Sequence, residues 1–311
     1  MRLVLDGSAP REKWLEARRQ GITASEIAVL LGLVPGTWNS PYALYLVKRG
    51  EIDEDERATE EMALGAYLEE YVCQRFADRH PEFALGGNGQ DLYASDECEW
   101  MLATPDRLVY RAGYCGTDPL AVLEAKTSGD YEGWGEDGSD EIPVRYRCQV
   151  LWQLAVTGLQ EAWVACLFLS SRQVRVYQVT VDHAAETDMG LIYDEACKFR
   201  KRVLDAHPPP VDWTVATERA LKRQHPYLDD TDAVISVSLA RRYESACAAV
   251  RKAEQRRKLA ENQIRYRLGR ASRVTDPDGN VVAVRQRYSV AAGTVERKAY
   301  IVDKLVRKGQ S

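Results

Sequence analysis

The chain has 311 residues, 45% apolar and 29% charged, with a formal net charge of −5 and a mean hydropathy of −0.40. That length predicts one large domain with an appendage and a sizeable core, and the composition is that of an ordinary globular protein. No apolar run approaches the roughly 18 residues of a membrane span, and the apolar part of the N-terminus is too short for a secretory signal. The seven cysteines are scattered, without a CxxC pair, which argues against a zinc site, an iron–sulfur ligand set or a disulfide framework and for a reducing cytoplasm.

Residues 10–50 read as helices. Pro10 to Leu15 resembles a helix start, Thr23-Ala24-Ser25-Glu26 can cap a second helix, and Ser40-Pro41 starts a third that Gly50 ends. After an acidic run from Glu51 to Glu61, Met62 to Arg79 reads as a strong helix with Leu64, Leu68, Tyr71, Val72 and Phe76 on one face. Short strands follow at Leu92-Tyr93, Met101-Leu102-Ala103 and Arg107 to Tyr110, then an apolar strand through Leu123 that carries Glu124. The Gly- and acid-rich residues 129–142 read as a mobile loop. A helix over Val144 to Thr157, strands over Ala162 to Leu169 and Val174 to Val181, and a helix over 184–206 complete a first domain of residues 1–210, closed by Pro208-Pro209-Pro210.

Residues 211–236 are expected to be linker, and 237–311 a basic helical arm with a terminal hairpin. Leu239, Tyr243, Ala246, Val250, Ala253, Ala260 and Ile264 alternate four and three apart, a heptad broken by Arg257. Residues 241–311 hold eighteen Lys/Arg against seven Asp/Glu, a net +11, which leaves −16 on residues 1–240. The basic arm can therefore face phosphates that the acidic body repels overall. Asp276 to Asn280 reads as a turn, and Val281 to Val284 with Tyr288 after it suggest the terminal hairpin.

Asp106, Glu124 and Lys126 carry the chemistry. Two hard carboxylates suit a hard cation that keeps several of its waters, and an adjacent amine can orient water or contact a phosphate. The cation activates water and offsets charge on a scissile phosphodiester. The same spacing recurs at Asp278, Glu296 and Lys298, so spacing alone is weak. Only the first copy has an apolar strand leading into it and a helix after it. The alternative for Asp106, Glu124 and Lys126 is an ion pair between neighbouring strands. Gln149 and Gln153 share a helical face at i, i+4, and either can be structural.

Several segments in order, over about residues 10–180, resemble the YqaJ-type viral recombinase family, which includes lambda-type phage exonucleases of the PD-(D/E)XK superfamily. They are Trp14 with Arg18, Ile22 to Ile27, Ser40-Pro41 with Lys48-Arg49-Gly50, Gly65 to Glu69, Ala103 to Asp106, Glu124-Ala125-Lys126, and Tyr146 with Gln149, Gln153 and Ala155 to Gly158. The resemblance implies an α/β fold with a restriction-endonuclease-like core, a mixed central sheet flanked by helices. It further implies Mg²⁺-dependent (Mn²⁺ substituting, with one or two ions) 5′→3′ digestion of double-stranded DNA ends in phage or prophage recombination inside the bacterial host. A single-strand annealing partner and a homo-oligomer, of which a ring is one form, belong to the same implication.

Carried over, the metal ligands would be Asp106, Glu124, the Ala125 carbonyl and Glu69. Lys126 would be the catalytic lysine, Gln149 would orient it or the phosphate, and Arg18 with Ser25 would receive a 5′-phosphate. Asp96 stands at a suggestive offset from Asp106. Ser25 as a plain helix cap, Glu69 as part of a solvated face, and Trp134 as a buried loop anchor are the bland readings. Two rivals stand beside the exonuclease: an endonuclease or junction-processing enzyme on the same fold, and a non-catalytic DNA-binding scaffold.

Overall fold

The computed structural model describes residues 1–54, 60–113, 116 and 118–287. In chain order the elements begin with β1 (Arg2–Leu5), α1 (Arg11–Arg19), β2 (Ile22–Thr23), α2 (Ala24–Leu30), α3 (Pro41–Lys48) and α4 (Glu60–Arg79). The strands β3 (Phe83–Gly86), β4 (Leu92–Ala94), β5 (Met101–Ala103), β6 (Arg107–Arg111) and β7 (Ala121–Ser128) follow. Then come α5 (Val144–Thr157), β8 (Glu161–Phe168), β9 (Gln173–Thr180), α6 (His183–Leu204) and α7 (Val215–Gln224). The last elements are α8 (Val237–Leu268), β10 (Arg273–Thr275) and β11 (Val281–Val284).

A five-stranded mixed sheet, ordered β3-β6-β7-β8-β9, occupies the centre. Its one parallel pair, β7 with β8, needs a crossover, and α5 supplies it. Strand alternation then sorts the side chains. Ala121 and Leu123 of β7 join Val72, Cys73 and Phe76 of α4 on one face, while Val122 joins Val150, Leu151 and Leu154 of α5 on the other. Glu124 and Lys126 share the parity of Val122, so they project toward α5. Of the apolar positions expected on α4, Leu64 and Tyr71 are instead exposed; the buried stripe is the narrower Val72, Cys73 and Phe76.

A smaller sheet, ordered β1-β4-β5-β2, lies beside the first. Its β2 runs parallel to β5, with Ile22 opposite Met101 and Thr23 opposite Leu102. Both strands therefore end on one edge, β2 into the start of α2 and β5 into Thr104-Pro105-Asp106. The latter three residues carry the chain from the small sheet into the large one.

Two expectations need correction. Residues 129–142 are pinned rather than mobile. Trp134 is buried against Tyr146, Phe168 and Tyr177, and Asp137 pairs with Arg79 at 2.6 Å and accepts from the Val176 N–H at 2.8 Å. Residues 211–236 are not simply linker. The α7 helix forms there, with Ala216, Thr217 and Ala220 buried, and Thr217 Oγ1 lies 2.7 Å from Ser40 Oγ at the start of α3. Its buried residues are small, so no strong apolar period announces it. The first compact unit accordingly runs from Met1 to Pro226, past the expected limit at residue 210, and the second starts at Tyr227.

In the second unit α8 covers the whole heptad and buries none of its residues. The β10–β11 hairpin closes on Asp276, whose carboxylate accepts from the Asp278 and Asn280 N–H groups at 3.0 and 2.9 Å. Tyr288, Glu296 and Lys298 lie outside the described residues.

Candidate functional site

Past Leu123, which pairs with Arg107 of β6, β7 continues along β8 alone. One edge of Glu124-Ala125-Lys126 is thus free of a strand, and Asp106 fills it. Its Oδ2 accepts the Ala125 N–H at 2.7 Å. In an extended strand the N–H and C=O of one residue leave on the same edge, so the Ala125 carbonyl faces the Asp106 side as well.

Glu124 is buried, 3% exposed, and both of its oxygens are held. Oε1 accepts from Lys126 Nζ and Gln149 Nε2, and Oε2 accepts from Gln153 Nε2 at 2.6 Å. The two glutamines stand one turn apart on α5 and clamp the carboxylate from the same helix. Gln153 is fully buried and its Oε1 has no partner. Such an orphan costs about 1–3 kcal/mol, so the bond to Glu124 is the physical reason for a glutamine there. Sequence reasoning put weight on Gln149 only; the i, i+4 spacing was the available signal for Gln153.

Burial, and after it the charge of Glu124, holds the Asp106 carboxyl well above the ordinary carboxylate range, with Glu69 adding to the rise. Burial works against the Lys126 ammonium, but Glu124 and Asp106 outweigh it and push its pKa up to about 12. Lys126 therefore stays charged and compensates the paired carboxylates. Its Nζ also lies 5.2 Å from the Tyr146 ring centroid.

Glu69 lies on α4 near this centre, bound to Arg107 Nη1 at 3.0 Å, while Arg107 Nη2 takes Glu70. Arg107 thus fixes α4 to the Asp106 turn, a role with no local signal in the chain. Gly89, at φ +73°, passes so close that an added Cβ would meet Glu69 Oε1 at 2.8 Å. Among the described residues no three His, Cys, Asp or Glu side chains form a ready metal cage. Two carboxylates and a carbonyl are nonetheless a hard-oxygen set that fits Mg²⁺, which commonly takes one or two carboxylates and keeps its waters. Asp96 is elsewhere, paired with the N-terminal amine at 2.7 Å.

Arg18, Thr23 and Ser25 gather at the start of α2. Arg18 Nη2 donates to Thr23 Oγ1 at 3.1 Å, and Thr23 Oγ1 lies 3.4 Å from Ser25 Oγ. Thr23, not Ser25, is the helix N-cap, and its capping box with Glu26 leaves Ser25 exposed in the first turn. Buried Lys48 bonds Glu26 at 2.8 Å and the Arg18 carbonyl at 2.8 Å, bracing the group from below. Arg18 also faces Glu54 at 3.4 Å and lies over Trp14 at 4.6 Å. Through the β2–β5 pairing this cluster shares the sheet edge that leads to Asp106.

Residues 13–160 match the YqaJ-like viral recombinase domain family. The chain is similar to the YqaJ protein of Bacillus subtilis (strain 168), itself uncharacterised, at 26% identity over 275 residues, covering 86% of this chain and 81% of that one. Among solved structures it is similar to LHK-Exo, an alkaline exonuclease from Laribacter hongkongensis, at 19% identity over 63% of this chain and 97% of that one, with TM-score 0.45. The complex of LHK-Exo with dAMP gives 19%, 69%, 98% and 0.48. A phage-related exonuclease from Haemophilus somnus 129PT is similar at 10% identity, over 60% of this chain and 96% of that one, with TM-score 0.42.

Proposed function

Because residues 13–160 match the YqaJ-like viral recombinase domain family, we propose that the chain is a Mg²⁺-dependent exonuclease that digests double-stranded DNA ends 5′→3′ in phage-type recombination. The observation that carries this reading is the convergence of Asp106, Glu124, Lys126 and Gln149 inside that domain. An ordinary ion pair between strands does not need two glutamines, one of them fully buried, to orient its carboxylate.

Asp106, Glu124 and the Ala125 carbonyl would hold the ion, with Glu69 joining them once released from Arg107; Mn²⁺ offers similar ligand chemistry. When bound, the ion polarises the scissile phosphodiester and offsets its negative charge. Gln149 and Gln153 keep Glu124 from rotating, which preserves the geometry of the cleft. Lys126, released from Glu124, donates from Nζ to the attacking water or a phosphate oxygen.

Water attacks phosphorus, the P–O3′ bond breaks, and the terminal nucleotide leaves with a free 3′-hydroxyl. The shortened strand carries a new 5′-phosphate. Arg18 and Ser25 would receive it, a guanidinium and a hydroxyl at a helix N-terminus being a sound anion site. A single-strand annealing partner and a homo-oligomer around the duplex belong to the same reading. Covalently closed circular duplex is the discriminating substrate. An exonuclease leaves it intact while consuming the linear form of the same DNA; digestion of the closed circle at a similar rate would turn the assignment to an endonuclease.

A further inference from the structure

Beside Lys126 runs a ladder of alternating cations and aromatic rings that the cleavage chemistry does not use. The Arg145 guanidinium carbon lies 4.5 Å from the centroid of the Tyr146 ring that Lys126 also faces, and 5.9 Å from that of Trp38. These are cation–π distances. Trp38, the last rung, is 62% exposed.

The indole sits on a rigid support. The Trp38 N–H donates to the Pro35 carbonyl at 2.8 Å and closes a turn. Within that turn Gly36 presses on α7 so closely that an added Cβ would meet Thr214 Cγ2 at 2.6 Å. The Gly36 carbonyl accepts the Ala216 N–H at 2.9 Å. Two residues after Trp38, Ser40 Oγ lies 2.7 Å from Thr217 Oγ1 and accepts the Ala43 N–H at 3.1 Å. Every one of these bonds is made by backbone or by neighbours, so none requires an indole at position 38. A large ring left in water on a braced turn is pre-organised for a flat ligand.

Arg145 supplies the complementary charge. Arg147 lies 3.8 Å from Asp140 and 4.0 Å from Asp188, whereas Arg145 has no carboxylate partner among the described residues, and its Nε is buried without a hydrogen bond. An unneutralised guanidinium between two rings, one of them facing Lys126, suits a phosphate flanked by a base.

We propose that Trp38 and Arg145 form a stacking platform for one unpaired nucleotide beside the scissile phosphate, the base lying on the indole and its phosphate on the guanidinium. The proposal rests on the nuclease reading for its ligand. Stacking on an aromatic ring is tolerant of sequence, because every base has a π-face, and that suits an enzyme that must consume any end.

The test uses the full chain in EDTA and linear duplexes carrying 2-aminopurine at the first or the second nucleotide of the 5′-strand. Binding of the native protein should quench the probe at one of these positions. Trp38→Ala should abolish the quench and weaken binding about 5- to 150-fold, the equivalent of 1–3 kcal/mol per stacked base. Trp38→Phe should restore most of both, which a folding defect would not allow. Unchanged quench and affinity in Trp38→Ala, while the native protein digests linear DNA with Mg²⁺, would overturn the platform alone. A native protein that quenches through Trp38 yet never cleaves would overturn the nuclease reading and leave the platform standing. One that binds no DNA end would overturn both.

Discussion

Burial and a neighbouring carboxylate make ionisation of Asp106 costly. Its carboxyl is held well above the ordinary value of 3.8, first by burial and then by Glu124. The folded, metal-free protein thus keeps a proton at Asp106 that the unfolded chain has already released. The stability linked to that proton is complete below pH 3.8 and is lost as pH rises through the higher folded value. Asp106→Asn removes the buried charge while its side-chain oxygen can still accept the Ala125 N–H. The variant should melt higher than the native protein in EDTA at pH 7–8, by about 2–4 °C for each kcal/mol relieved, with the gain shrinking toward pH 4, and it should not cleave DNA. An equal or lower melting temperature at neutral pH would show that Asp106 is not under electrostatic strain. At this scale the sequence was legible where a motif had local context: an apolar strand before Glu124 and a helix carrying Gln149. Arg107, which joins α4 to the Asp106 turn from 37 and 38 residues away, and Lys48, which reaches Arg18 and Glu26, leave no local trace. Their partners are set by the fold.

The helices and strands of the central core lie close to where periodicity puts them, because α5, β8, β9 and α6 each bury an apolar face with clear punctuation at either end. Gly158, at φ +74° past the last turn of α5, is such a stop. The stretch after the three prolines was harder. The α7 helix buries two alanines and a threonine, so its attachment is made by hydroxyls and close backbone approach, which hydropathy does not register. Thr217 is central to it: its hydroxyl meets Ser40 Oγ and its N–H donates to Thr214 Oγ1 at 3.2 Å. Thr217→Val keeps the shape and removes the bond to Ser40, leaving that buried hydroxyl with the Ala43 N–H alone, at a cost of about 0.5–1.5 kcal/mol. Thermal unfolding should show a loss of about 2–4 °C per kcal/mol. No change would mean that α7 does not brace the turn that bears Trp38.

Across the whole molecule, charge and architecture divide the chain in nearly the same place. Residues 1–240 carry −16 and residues 241–311 carry +11, and the compact units part at Pro226. The sequence read this division slightly too early, because three prolines look like a boundary while α7 still belongs to the first unit. Strand pairing was the least legible feature. The parallel match of β2 with β5 rests on two residues each, yet it puts the Arg18 cluster and Asp106 on one edge, as the proposed grip on a terminal phosphate requires. The six described cysteines are free, and no described helix is long and apolar enough to cross a membrane. The most direct measurement is release of label from an end-labelled linear duplex, with Mg²⁺ or EDTA, by the native chain and by Lys126→Ala, with DNA binding followed in parallel. The account predicts Mg²⁺-dependent release by the native chain and a loss of about 10²–10³-fold or more in the variant, with binding retained. Mg²⁺-dependent digestion that survives in Lys126→Ala, or its absence from the native chain, would contradict it.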